Sequence, residues 1–262
     1  MQAYVVCFGQ QTRERKIFMD RLTGKYAIVT GGGQGIGAAI VKRFVAEGAA
    51  GVAIFDYNVE TAQQTAREVG GNVIAVKCDI SNEEVVKAAV EQVLAAFGRI
   101  DILVNNAGII KDAMFHKMTA DQWYQVINVN INGLYHCCKH VVPLMREQNY
   151  GKIVNLSSVS ANGNAGQANY AASKAAVEGF TKALAKEGAR KNITVNAIAP
   201  AHIDTPMQRS VPAEILEKSI KSNPSQRLGS VDELAAVALF LASDDSSFVN
   251  GTVIPVNGGL RT

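Results

Sequence analysis

What this chain has little of narrows its role first. No apolar run reaches the roughly 18 residues needed to cross a bilayer. The apolar tract from Ala3 to Phe8 has neither a basic flank before it nor a small-residue cleavage site after it, which argues against a secretion leader. Four cysteines, Cys7, Cys78, Cys137 and Cys138, lack CxxC spacing and the pattern of a disulfide framework. They read as reduced thiols of a cytoplasmic protein, with the adjacent pair directed to different sides of one helix. His116, His136, His140 and His202 share no ligand spacing with carboxylates or cysteines, so no metal site is expected. An excess of one charge is also absent: 26 basic and 23 acidic residues are scattered and leave a net charge of +3. Neither nucleic acid nor a membrane surface is indicated, and the expected partner is a small molecule. No linker or low-complexity stretch divides the 262 residues, so they read as one large domain.

What is present is a rhythm. From Lys25 onward, short β-branched runs (KYAIVT, GVAIFD, VIAVKCD, IDILVNNAG, GKIVNLSS, NITVNAIAP and GTVIPVNGG) alternate with helical patterns. That alternation predicts βαβ units and a parallel sheet flanked by helices, an α/β fold. The stretch HIDTPMQRSVPAEILEKSIKSNPSQ, residues 202–226, carries three prolines and no clear strand, and reads as a mobile substrate lid. VDELAAVALFLA reads as core or subunit interface. Residues 1–20 stand outside the rhythm. They read either as a disordered extension or as a segment upstream of a true initiator at Met19.

Three features carry chemistry. Tyr170 and Lys174 lie four apart in a helical pattern, which puts a phenol and an ammonium on one face. A phenol has a pKa of about 10, and a cation ~4 Å away at an effective dielectric of roughly 20 lowers it by about three units before desolvation. Such a pair suits proton transfer at a carbonyl or alcohol. Thr30-Gly31-Gly32-Gly33-Gln34-Gly35-Ile36-Gly37 follows the first strand and opens a helix, the arrangement that lets backbone N–H groups approach a pyrophosphate. Asp56 ends the second strand about twenty residues on, where its carboxylate can accept from both adenosine ribose hydroxyls and would repel a 2′-phosphate. No arginine follows it, and Gln34 stands where a basic residue would assist a phosphate, so NAD(H) is expected over NADP(H). Asp79, ending the third strand, fits either the adenine amine or an N-cap before NEEVVKAAV.

Together these residues resemble the classical short-chain dehydrogenase/reductases over about residues 21–262, through TGGGQGIG, NNAG, NVNINGLY, NLSS, YAASK and the terminal VNGG. The resemblance implies a single doubly wound Rossmann-type domain. It implies Tyr170 as general acid/base, Lys174 lowering its pKa and holding the nicotinamide ribose, and a serine binding the substrate oxygen. Asn130, ahead of Asn128 and Asn132, would anchor a water in a proton relay. Family spacing from Gly151 gives Ser158 and spacing from Tyr170 gives Ser157. A deletion is easier to absorb in the loop than within a buried strand, where a one-residue slip reverses the side chain's face, so Ser158 is expected. Cofactor contacts are implied at Gly31, Gly33, Gln34, Gly35, Ile36 and Gly37, at Asp56, Asp79 and Ile80, at Asn106, Ala107 and Gly108, at Tyr170 and Lys174, and at Pro200, Ile203 and Thr205. Where the family usually has a glycine after that proline this chain has Ala201, so the backbone there needs no positive φ. His202, following the last cofactor strand, keeps a functional reading.

The resemblance leaves the substrate open. The expected activity is hydride transfer between NAD(H) and a secondary alcohol or ketone. The alternative is a 3-oxoacyl carrier-protein reductase using NADPH or NADH, for which Arg190 and Lys191 would meet an acidic carrier unless they only finish a helix. The non-enzyme alternative is an NAD(H)-binding redox-sensing module. A homotetramer is implied, with the helices around Trp123 to Gln148 and around Tyr170 packed between subunits.

Overall fold

Seven short apolar runs, most of them buried on both faces, can satisfy their backbone groups by pairing with one another. In the computed structural model, which describes residues 20–209, 211 and 213–260, they form one seven-stranded parallel sheet. The strands are β1 (Tyr26–Thr30), β2 (Gly51–Asp56), β3 (Val73–Lys77), β4 (Ile102–Asn105), β5 (Gly151–Leu156), β6 (Ile193–Pro200) and β7 (Val253–Val256). The helices are α1 (Gly35–Ala46), α2 (Val59–Val69), α3 (Glu83–Phe97), α4 (Ala120–Ile127), α5 (Gly133–Gln148), α6 (Ala168–Gly188), α7 (Pro206–Arg209), α8 (Ala213–Ser222) and α9 (Val231–Ala242). The expected extension and its Cys7 lie outside the described residues.

Strand order is β3-β2-β1-β4-β5-β6-β7. The chain therefore reverses its direction of travel across the sheet between β1 and β4, and the crevice beyond their C-terminal ends is where such a sheet receives a ligand. Alternate residues of β1 to β6 feed two cores. Val29 and Ile54 pack with Phe44 of α1, Ala62 of α2 and Leu239 of α9, whereas Ile28 and Phe55 pack with Val90 of α3, Val141 of α5 and Ala185 of α6. VDELAAVALFLA is thus core: Leu234, Ala235, Ala238, Leu239, Leu241 and Ala242 are all buried.

Several local expectations change. Cys137 and Cys138 do not part company. Both are buried in the same core, because α5 is covered across a stripe broad enough to take residues 100° apart. Asp79 is not an N-cap. Asn82 caps α3 by accepting from Glu84 N–H and Val85 N–H, and Asp79 instead accepts from the Ser81 backbone at 3.0 Å and hydroxyl at 2.6 Å. The polar stretch 202–226 holds two helices that its sequence did not announce, α7 and α8. Between α4 and α5 the helix widens into one π turn at Asn128–Asn132, so the whole run from Ala120 to Gln148 stays helical. Ala201 is not among the described residues with positive φ, in line with its side chain.

Candidate active site

The glycine turn is shaped by contacts that leave no room for a Cβ. Gly31, at φ +64°, donates to Phe55 O at 2.7 Å and lies against Asn106 and Ala107. Asn106 Nδ2 donates to the carbonyls of Thr30 and Gly31 at 2.9 and 3.1 Å, and Thr30 Oγ1 accepts from the N–H groups of Asn106 and Ala107. The Asn106 amide thus positions the turn rather than reaching outward. A side chain on Gly37 would run into the Gly31 carbonyl. Gly33 N–H donates to Asp56 Oδ2 at 2.9 Å, Asn58 N–H donates to Oδ1 at 3.0 Å, and a Cβ on Gly33 would lie 2.8 Å from Oδ2.

The turn fits a dinucleotide on its own geometry. Helix α1 begins at extended Gln34 and opens directly from the glycine turn; like α6, it has no side-chain cap and no acidic residue in its first turn. Its N–H groups and positive dipole end meet no protein carboxylate, which suits a pyrophosphate. Ile36 packs its side chain toward the core, and Gly35 at φ +56° lies opposite Thr205 and Pro206, which close the turn from the far side. Residues that could hold a nicotinamide dinucleotide here are Gly31 to Gly37, with Asp56 beside them.

The side chains expected to be catalytic meet at the C-terminal end of β5. Asn169 fixes the start of α6 by donating to Lys111 O at 2.9 Å and Gln122 O at 3.0 Å. One turn of α6 then presents Tyr170 and Lys174, with Lys174 Nζ 5.5 Å from the Tyr170 ring centroid and donating to Leu156 O at 2.6 Å. Ser158 is close enough to the Tyr170 side chain to hold its pKa down, and its hydroxyl accepts from Ser160 N–H at 3.1 Å. Ser157 points the other way: buried, it donates to Glu178 Oε1 at 2.8 Å, and its hydroxyl is 3.3 Å from Lys174 O. Asn155 Nδ2 donates to Thr181 Oγ1 at 2.9 Å. The end of β5 is thereby zipped to the face of α6 that bears residues 170, 174, 178 and 181. Sequence reasoning missed Glu178 and Thr181, although their spacing from Lys174 puts them on the same helix face.

Asn130 sits in the π turn, buried. Its Oδ1 accepts from Ile109 N–H at 2.9 Å, and its Nδ2 donates to Ile109 O at 3.1 Å and Ser173 Oγ at 3.0 Å. A Cβ on Gly108 would lie 3.2 Å from Asn130 Oδ1 and 3.6 Å from Lys174 Nζ, so the three residues converge.

The electrostatics differ from the expectation that Lys174 pulls Tyr170 down. Burial raises the Tyr170 pKa above its usual value; the Ser158 side chain opposes that rise and Asp112 adds to it. Burial lowers Lys174 to about 8. Desolvation outweighs the pairing because the ammonium is enclosed and its named acceptor is a neutral carbonyl.

Other expected contacts are placed as follows. Ile80 is buried against Gly133 of α5, so its side chain is packing and its main chain is what could meet a ligand. Pro200 ends β6 beside Val256, Ile203 is buried and bridges to Gly229, and Thr205 Oγ1 accepts from Gln208 N–H at 3.1 Å to start α7. His202 borders a cavity of about 130 Å³ with Asn223, Ser225, Arg227 and Asn257, away from the Ser158–Tyr170 contact. Among the described residues no group of three or more His, Cys, Asp or Glu could hold a metal ion, and no helix is long and apolar enough to cross a membrane.

The family described as enoyl-(acyl carrier protein) reductase matches residues 31–261, nearly all of the chain. This protein belongs to the short-chain dehydrogenase/reductases. The short-chain dehydrogenase/reductase is 48% identical over 237 residues to an acetoacetyl-CoA reductase of Shinella zoogloeoides, covering 90% of this chain and 98% of that protein. It is 45% identical over 243 residues to a 3-oxoacyl-[acyl-carrier-protein] reductase of Thermotoga maritima, covering 92% and 99%. The crystal structure of levodione reductase matches with a TM-score of 0.87 at 38% identity, covering 91% of this chain and 98% of that one. As a member of this family, the short-chain dehydrogenase/reductase is an oxidoreductase of CH–OH and keto groups that works with a nicotinamide cofactor.

Proposed function

We propose that this enzyme interconverts a 3-oxoacyl thioester and its 3-hydroxy form with NAD(H), Tyr170 acting as general acid/base. The observation that carries the chemistry is the placement of Tyr170 and the enclosed Lys174 one turn apart on α6, with Nζ 5.5 Å from the ring centroid, at the end of β5 that leads to Ser158. Bound NAD(H) supplies or accepts the hydride at the carbonyl carbon. Tyr170 gives its hydroxyl proton to the ketone oxygen in reduction and takes it back in oxidation. Ser158 holds that oxygen in line, and Lys174 and Asn130 form the polar floor through which the Tyr170 proton is replaced.

The substrate class rests on relatives named acetoacetyl-CoA reductase and 3-oxoacyl-[acyl-carrier-protein] reductase, which move it ahead of an unspecified secondary alcohol. The cofactor rests on Asp56, whose carboxylate stands beside the glycine turn at 2.9 Å from Gly33 N and would meet a 2′-phosphate with like charge. Residues 202–226, with α7 and α8, are read as the cover of the substrate side, and the enzyme as a homotetramer whose exposed Tyr124 and Tyr135 on α4 and α5 face another subunit. Cys78, Cys137 and Cys138 are free thiols, in keeping with action in the cytoplasm.

Titration with NADH and NADPH, followed by turnover of acetoacetyl-CoA and of simple ketones with the tighter cofactor, tests this reading. NADH is expected to bind at least tenfold more tightly, a difference of about 1.4 kcal/mol. Tighter NADPH binding refutes the role of Asp56, and turnover of simple ketones alone refutes the thioester. Light scattering of the purified protein tests the tetramer.

A further inference from the structure

Helix α5 reaches the segment that follows β3 at three points. A Cβ on Gly133 would lie 2.6 Å from Ile80 Cδ1, so the absence of a side chain there is what lets Ile80 seat on the helix. One turn later His136 Nδ1 lies 2.9 Å from Ile80 O. A carbonyl can only accept, so Nδ1 carries the proton and the imidazole is held in that tautomer. A further turn along, Lys139 pairs with Glu83, and His140 Nε2 is 3.5 Å from the same carboxylate. Asp79 lies between Cys78 and Ile80 and is folded onto Ser81, so residues 79–83 form a short, internally bonded segment held to the rest of the protein by α5.

Asp79 and Ile80 stand at the adenosine end of the proposed cofactor site, one strand beyond Asp56, with Asp56 and Lys77 in register across β2 and β3. A loop there has no catalytic step to perform; it has only to be in place when the adenosine arrives. We propose that His136 is a positioning residue for cofactor binding. It holds the Ile80 carbonyl, fixes the main chain of residues 79–80, and so sets the wall against which the adenosine half packs. The Gly133 contact seats the side chain, the His136 bond sets the peptide plane, and the Glu83 pairing closes the far end. Of these, the His136 bond acts directly on the peptide between Ile80 and Ser81. Its partner groups on both elements are known: Ile80 O across from it, and Tyr135, whose ring centroid is 5.7 Å away, beside it on α5.

This inference rests on the reading of Asp56 and Asp79 as the adenosine end, and the test separates the two. Full-length wild type, His136→Ala and His136→Asn are titrated with ADP-ribose and with NADH, and acetoacetyl-CoA turnover is measured with NADH and with reduced nicotinamide mononucleotide, which lacks the adenosine half. Asparagine is the conservative variant because its amide nitrogen falls near the position of Nδ1. His136→Ala is expected to weaken ADP-ribose and raise KM for NADH about five- to tenfold, the worth of one hydrogen bond. Turnover with the mononucleotide should stay within twofold, and His136→Asn should recover most of the lost ADP-ribose affinity. Unchanged ADP-ribose affinity in His136→Ala overturns the proposal. Equal losses with dinucleotide and mononucleotide also overturn it, since a merely loosened fold would behave that way. A wild type that binds NADH but not ADP-ribose removes the adenosine assignment itself, whatever the variants do.

Discussion

Lys174 is an ammonium with three donors, and the protein names one acceptor for it, the Leu156 carbonyl. Its folded pKa of about 8 lies below the 10.5 of the free side chain. Between those values the unfolded chain holds a proton that the folded chain has released, so this group's contribution to stability rises with pH from about 8 to 10.5. Denaturant unfolding of wild type, less that of Lys174→Met, should climb across this window; a flat difference would contradict the burial. At Tyr170 the expected outcome of Tyr170→Phe is a loss of about 10²- to 10⁴-fold in kcat with NADH affinity kept, read from steady-state rates and a binding titration. Wild-type turnover in that variant would sink the mechanism. Glu178 acts one contact further out, through Ser157. Glu178→Leu should lower kcat more than it raises KM, and Glu178→Gln, which still accepts from Ser157, should restore most of it.

At the scale of elements, two glycines in one turn are expected to fail differently. Gly37→Ala would set a methyl into the Gly31 carbonyl, a backbone atom that cannot give way, and should cost about 1–3 kcal/mol of stability in a melt. Gly33→Ala would press chiefly on the side-chain atoms Thr61 Oγ1 and Asp56 Oδ2, and more lightly on the Ala62 backbone N, and should weaken cofactor binding while costing the melt less than Gly37→Ala does. The same contrast explains how much was legible beforehand. All seven strands could be read because each is a short apolar run, buried on both faces in β1, β2, β4, β5 and β6 and half-buried at the edges in β3 and β7, and the YxxxK helix because its spacing is local. The π turn at Asn128–Asn132 could not, since widening a helix by one residue leaves no mark in apolar periodicity. Helix α7 was hidden because Pro206 looks like a breaker and serves as the first residue of the helix, where its missing N–H costs nothing. The Tyr170 and Lys174 pKa directions were out of reach for another reason: pairing can be inferred from spacing, but desolvation depends on what tertiary packing places around the pair.

At the scale of the whole molecule, the two ends of the proposed site belong to different stretches of chain. Residues up to 77 build β1, β2 and β3 with the glycine turn and Asp56, and residues from 102 onward build β4 to β7 with every side chain proposed as catalytic. A dinucleotide lying across β1 and β4 should therefore stabilise the fold as a unit. At 100 times Kd, NADH is expected to add about 2.7 kcal/mol, seen as a rise in melting temperature that Asp56→Ala reduces at the same concentration. The strand order also bears on biosynthesis. β1 is made first yet ends in the middle of the sheet, and its second neighbour, β4, is translated only after β2, β3 and α3. Until then the nascent chain exposes one flank of β1, an open strand edge of the kind that recruits foreign strands. Prompt elongation through Asn105, or a chaperone covering that edge, should raise the yield of this enzyme.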